Sequence, residues 1–274
     1  MKRFLALLLI VVLPVIALAD EAADDYRLIE ATGDVAVVPA GSEEARAATA
    51  GLPLSEGDRV VTGDSGSAEL ADPSGTVLRL EANSSLSLES LRTGWTTFRL
   101  AVGRLLAKFN HTMDSHYSVQ TPVAVASVRG TEFALDVAED GELNAGVVDG
   151  QVAIQRPENS EQPAGKEWKE EVLEKSQGLS IRPLERPRRL SEIPRPLVRS
   201  LDWFPRIRER VPKLREQWKN LTPLERRQLR RESLRERVQW RVPGKPGEGI
   251  TPLRERVRPR PIPRPRRLRA IPRP

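Results

Sequence analysis

The sequence predicts an all-β domain, a sandwich or roll of short, mainly antiparallel strands, followed by a largely disordered Pro/Arg-rich tail with one or two helices. Three observations carry this. Between residues 26 and 156, apolar and polar residues alternate in short runs separated by Gly, Asp and Pro. That is the mark of strands with one buried face. After residue 181 prolines recur every few residues among arginines, and such a chain cannot bury enough apolar surface to offset the entropy of ordering. The charge divides at the same place. Residues 1–181 hold 15 Lys/Arg and 28 Asp/Glu, while residues 182–274 hold 29 and 10.

The first 19 residues read as a signal peptide. Lys2 and Arg3 precede an unbroken apolar run from 4 to 12, Pro14 breaks it, and Ala17-Leu18-Ala19 offers a cleavage site before Asp20 and Glu21. This is the layout of secretory export. The run is short for a membrane span of about 20 residues, and no later segment is apolar enough to cross. The expected compartment is therefore periplasmic or extracellular, with no transmembrane segment after cleavage. The chain has no cysteine, which excludes structural disulfides, Cys-ligated metal sites and a lipidated cysteine.

The β domain is expected over residues 20–181. Residues 31–38 run through a Gly33-Asp34 turn, and a surface excursion rich in Ala, Gly and Glu follows at 40–53. Gly57-Asp58 leads into the strand at 59–61. Asp72-Pro73-Ser74-Gly75 is a tight-turn sequence between alternating runs at 67–70 and 76–80. Residues 85–88 alternate again. Residues 90–98 read as a polar connection containing Trp95, before strands at 98–102 and 103–108. A polar turn at 111–116 precedes the run 117–128, with Pro122 early in it. Asp140-Gly141 and Asp149-Gly150 are hairpin signals. A further hairpin is expected over 168–181, turning at 175–178. In the tail, residues 182–274, Thr222-Pro223-Leu224-Glu225 is a capping box with Pro at the first helical position. It places a helix at 223–239 capped by Thr222 and Glu225, and an earlier helix, broken at Pro212, spans 205–220.

The domain resembles the FecR family. The resemblance rests on Gly57-Asp58-x-Val60, Asp72-Pro73-Ser74-Gly75-Thr76, the run Val128-Arg129-Gly130-Thr131-x-Phe133 and Val148-x-Gly150-x-Val152, in order across about residues 28–155. It implies an extracytoplasmic β module without known catalysis, and a ligand- or partner-sensing role. The namesake signals to a cytoplasmic sigma factor through a cytoplasmic segment and a transmembrane helix. Neither is seen in this sequence, so what carries over is the fold and the sensing role. The signature residues Gly57, Asp58, Gly75, Arg129, Gly130, Thr131, Phe133 and Gly150 read as structural. Gly130 permits a positive φ or a close backbone approach, Arg129 is expected to pair with a carboxylate of the domain, and Thr131 to cap a turn.

No catalytic, cofactor or metal constellation is signalled. His111, Asp114 and His116 offer three polar groups in a turn without a fourth ligand. There is no nucleophile elbow, zincin helix or phosphate loop. The expected function is a non-enzymatic binding, sensing or scaffold module whose basic tail contacts an envelope protein or an anionic polymer or lipid. Export argues against nucleic acid. The alternatives are a signalling subunit acting on a membrane regulator in trans and an enzyme acting on envelope glycans.

Overall fold

The computed structural model describes residues 26–220, apart from 93, 111–114, 159 and 161–166. The signal peptide expected at 1–19 and the helix expected at 223–239, with Thr222 and Glu225, lie outside the described residues. Within them the chain forms β1 (Tyr26–Thr32), β2 (Val35–Val38), β3 (Arg46–Ala47), β4 (Pro53–Leu54), β5 (Arg59–Thr62), β6 (Ser67–Ala71), β7 (Val77–Leu80), β8 (Ser85–Arg92) and β9 (Trp95–Lys108). The second half adds β10 (His116–Gln120), β11 (Val125–Val128), β12 (Glu132–Val137), β13 (Leu143–Asp149), β14 (Gln151–Gln155), β15 (Glu170–Glu174), β16 (Gly178–Ile181) and β17 (Arg188–Leu190). Two helices close it, α1 (Arg195–Val198) and α2 (Trp203–Asn220).

The pairings resolve into two sheets that share β9. Sheet I runs β4-β1-β6-β7-β9-β12-β13-β16-β17. Sheet II runs β3-β2-β5-β8-β9-β10-β11-β14-β15. Only β9–β10 is parallel among these pairs. Each level of the stack is one bent stretch of chain that runs through one sheet and returns through the other: β1 to β2, β5 to β6, β7 to β8, and β9 folded on itself.

The bend in β9 falls at Gly103, where φ is +92°. A Cβ there would sit 2.4 Å from the Ser84 Cα and 2.6 Å from the Asn83 carbonyl oxygen, so only glycine lets the strand turn the corner against its neighbour. Ser84 ties that corner together. Its Oγ accepts from the Arg104 N–H at 2.9 Å, and its own N–H donates to Thr62 Oγ1 at 2.9 Å. After β9 the chain crosses back and starts β10 alongside the first half of β9. Later corners therefore lie at the opposite edge, at 129–131, 149–150 and 175–177.

These corners correct two expectations. Asp149-Gly150 and the turn at 175–178 are not hairpins: β13 and β14, like β15 and β16, lie in different sheets. Gly150 has φ +88°, and a sheet-to-sheet corner needs that conformation as much as a hairpin does. Asp140-Gly141 does join the antiparallel pair β12–β13. Residues 90–98 are not a connection but strand nearly throughout, since β8 pairs with β9 from Arg92↔Trp95 onward. The run 117–128 is split by the turn at 121–124 into β10 and β11, because Pro122 has no N–H to give a ladder.

The main core fills the space between the sheets. Tyr26, Phe98, Phe109 and Phe133 are essentially inaccessible there. They form an aromatic chain, with ring centroids 5.4 Å apart for Tyr26–Phe98 and 4.3 Å for Phe109–Tyr117. A second core lies on the outer face of sheet I. Ala71, Val77, Leu106 and Ala134 meet Leu197, Trp203, Phe204 and Ile207 from the helices. The basic segment thus begins folded onto the domain: β17 extends sheet I and α2 covers it. Helix α2 continues through Pro212 rather than breaking there. The lost hydrogen bond costs about 3 kcal/mol, and packing of Val211 and Leu214 on the second core offsets it.

Candidate functional site

The signature residues are distributed over three places. Asp58 is fully buried, and its carboxylate accepts from the Ala40 N–H and the Ser55 N–H, each at 2.9 Å. This clamps the 40–55 excursion onto β5. Gly57 beside it has φ +84° and donates to the Leu88 carbonyl at 2.7 Å. Gly75 sits in the β6–β7 turn, where Asp72 Oδ1 accepts from the Thr76 N–H at 2.9 Å. That turn lies under α2: a Cβ on Gly75 would stand 2.9 Å from Arg215 Cδ and 3.1 Å from Val211 Cγ1.

The third place is the corner column at 129–131 and 149–150. Thr131 Oγ1 donates to the Gln151 carbonyl at 2.9 Å, linking the β11–β12 corner to the β13–β14 corner. Phe133, 1% exposed, enters the core and stacks on Phe109 at 5.8 Å. Arg129 is a correction. It reaches the His116 ring, with Nη2 to Nε2 at 2.9 Å, where a carboxylate of the domain was expected. The corner turns its side chain along the outer face of sheet II, toward β10. Of the three polar groups at 111–116, His116 is described, and it stacks on Trp95; His111 and Asp114 lie outside the described residues.

The structure assembles another set of residues that individual motifs do not reveal. Carboxylates on the sheet I side hold the basic segment, chief among them Glu69, Glu132 and Glu81. Glu69, 1% exposed, accepts from Trp203 Nε1 at 2.7 Å, Arg79 Nη1 at 3.0 Å and Arg210 Nη1 at 2.8 Å. Glu132, 6% exposed, is gripped by the Nε–Nη2 edge of the Arg208 guanidinium, with Nε at 3.0 Å from each carboxylate oxygen, and lies 3.4 Å from Lys108 Nζ. Glu81 accepts from Ser200 Oγ and Arg104 Nη1, each at 2.8 Å. The hydrogen bond to Glu132 raises the Arg208 pKa above its ordinary value, burial partly opposing it. The available signals were the charge division and the Trp203-Phe204 pair at the head of a basic helix; neither says which carboxylates are used.

These features define a two-sheet β domain with a helical strap. Residues 58–153 match the model of the FecR protein family, and the chain carries a FecR domain. The match runs from β5 to β14, so the folded unit extends past it at both ends. Two crystal structures of a protein assigned as an anti-sigma factor of Parabacteroides distasonis are similar, each with a TM-score of 0.42 and 15% identity. Each comparison covers 49% of this chain and 60% of that one, so the chain spans less than two thirds of that protein's structure. No curated protein matches the sequence. Among the described residues no helix is long and apolar enough to cross a membrane, and no group of three or more His, Cys, Asp or Glu is placed to hold a metal ion.

Proposed function

We propose that the protein is a non-enzymatic sensing or scaffold module of the periplasm or cell surface, fastened to an anionic envelope surface or partner by its basic C-terminal segment. The FecR domain supports the sensing role. One observation carries the fastening. Arg208 and Arg210 clasp Glu132 and Glu69 on sheet I, so the segment leaves the domain from a fixed helix instead of a free linker. Beyond it, residues 221–274 hold 17 Lys/Arg against 5 Asp/Glu. Such a density of like charge attracts anionic lipids and polymers, at about 1 kcal/mol per basic residue near a membrane surface, and the attraction weakens with salt.

The test is co-sedimentation of the full chain with vesicles of phosphatidylglycerol and phosphatidylcholine, and with vesicles of phosphatidylcholine alone. The expected result is binding to the anionic vesicles at low salt, release at high salt, and loss of binding when residues 221–274 are deleted. A full chain that stays in the supernatant at low salt refutes the fastening.

A further inference from the structure

Sheet I is covered by α2, whereas sheet II turns its outward side chains to solvent. Trp95 is the extreme case, 65% exposed at the first residue of β9, where it pairs with both β8 and β10. A single exposed aromatic is common and marks a binding surface only in company. Strand register shows what surrounds it. Arg92, Trp95 and His116 are direct neighbours on β8, β9 and β10, and Arg129 follows the end of β11 at the same level. The Trp95 and His116 rings are stacked, with centroids 4.3 Å apart and planes 15° from parallel. Arginine only donates, so the 2.9 Å contact makes His116 Nε2 the acceptor from Arg129. The result is a fixed ridge of aromatic faces flanked by two guanidinium groups.

Beside the ridge the next outward row consists of Thr97, Ser118, Ser127 and Ala153. The Thr97 and Ser118 hydroxyls are 3.0 Å apart. Beyond that row stand Arg99, Gln120, Val125 and Gln155, long side chains but for Val125. From Trp95 to Arg99 is four residues, about 13 Å along a strand. Long side chains on both sides thus enclose a floor of short ones. The trough runs across the strands from β8 to β14, about 19 Å at ordinary strand spacing.

We infer that this trough binds a linear acidic polysaccharide, with a sugar ring on the Trp95 indole and its carboxylates toward Arg92 and Arg129. The floor offers hydroxyl groups that donate and accept, as a polyol requires, and the backbone groups of these strands are committed to the ladder. A helix about 10–12 Å wide with its side chains fills the whole ridge-to-ridge distance, whereas a single extended chain lies between the ridges. Charge supplies the last argument. Residues 1–181 carry an excess of acidic groups, yet this ridge presents Arg92 and Arg129. The nearest carboxylate on β8, Glu89, is held by Arg99 at 2.8 Å.

The experiment uses the full chain and three probes: alginate oligosaccharides, neutral maltohexaose and inorganic polyphosphate. Polyphosphate reports the basic tail, because it carries charge without a ring to stack. Trp95→Ala is expected to weaken alginate binding at least about tenfold, as truncation of a central Trp anchor does, with polyphosphate binding unchanged. Ser127→Trp, which fills the floor, is expected to abolish the same component. Both positions are on the surface, so the melting temperature should stay at the wild-type value. Equal alginate binding by Trp95→Ala and wild type overturns the assignment, as does an equal loss toward polyphosphate. Maltohexaose binding as tight as alginate binding overturns the acidic specificity.

Discussion

Removing the Glu69 carboxylate tests whether α2 is part of the folded domain or merely rests on it. In Glu69→Ala three donors lose their acceptor: Trp203 Nε1 at 2.7 Å, Arg79 Nη1 at 3.0 Å and Arg210 Nη1 at 2.8 Å. The Trp203 contact is buried and runs to a charged group, which sets its worth at about 1.5–3 kcal/mol. The two arginine side chains are 26% and 42% exposed, so solvent screening limits each to about 0–1 kcal/mol. The total is about 3 kcal/mol. For a folded unit of this size each kcal/mol lowers Tm by roughly 2–4 °C, giving roughly 6–12 °C. Circular dichroism melting measures that drop, and hydrogen exchange should show faster exchange confined first to α2. Glu69→Gln keeps an acceptor for Trp203 and should cost about 1 kcal/mol. A Tm for Glu69→Ala within about 2 °C of wild type, with unchanged exchange in α2, refutes the strap.

Two further outcomes follow from the geometry. Gly103→Ala places a Cβ 2.4 Å from the Ser84 Cα at a φ of +92°; it should destabilise the domain by about 3 kcal/mol or more, read as a lower urea midpoint at unchanged m-value. The Arg208 contact should contribute no pH dependence from about pH 7 to about pH 10, because a group with a raised folded-state pKa keeps its full contribution below its unfolded pKa and loses it only as pH rises through the folded value; exchange rates in α2, corrected for intrinsic chemistry, should be level across that range in wild type and in Arg208→Ala alike.

How much was legible in the sequence depends on the range of the interaction. Alternation at 67–70, 76–80 and 85–88 gave strands, because one face of each meets the core. Asp140-Gly141 gave a hairpin because the turn and the pairing are set by the same residues. Asp149-Gly150 has the same local chemistry and makes a corner, since the choice of sheet is decided by where β12 and β16 already stand. Gly103 escaped notice for the same reason: it lies in an uninterrupted strand pattern, and only Ser84, nineteen positions earlier, requires it to be glycine. Trp95 was read within a polar connection because the exposed face of β8 and β9 carries Arg92, Thr97 and Arg99 in place of apolar residues. The carboxylates under α2 were hidden most deeply. Glu69 looks like an ordinary outward residue of an alternating strand, and its burial depends on Trp203, 134 positions away.

On the proposed fastening the two outer faces of the domain take different partners, and the charge pattern fits that division. Arg208, Arg210 and Ser200 already occupy Glu132, Glu69 and Glu81 on sheet I. Those carboxylates are desolvated by the helix above them and are no longer available to the arginines of residues 221–274. A basic segment that neutralised itself on its own domain would need a second acidic surface of comparable order, and the ridge on sheet II presents Arg92 and Arg129 instead. The trough on sheet II lies on the far side of the core from these ion pairs. Under the proposed fastening one face is engaged and the other is left to read a ligand, an arrangement suited to a sensor held at a surface.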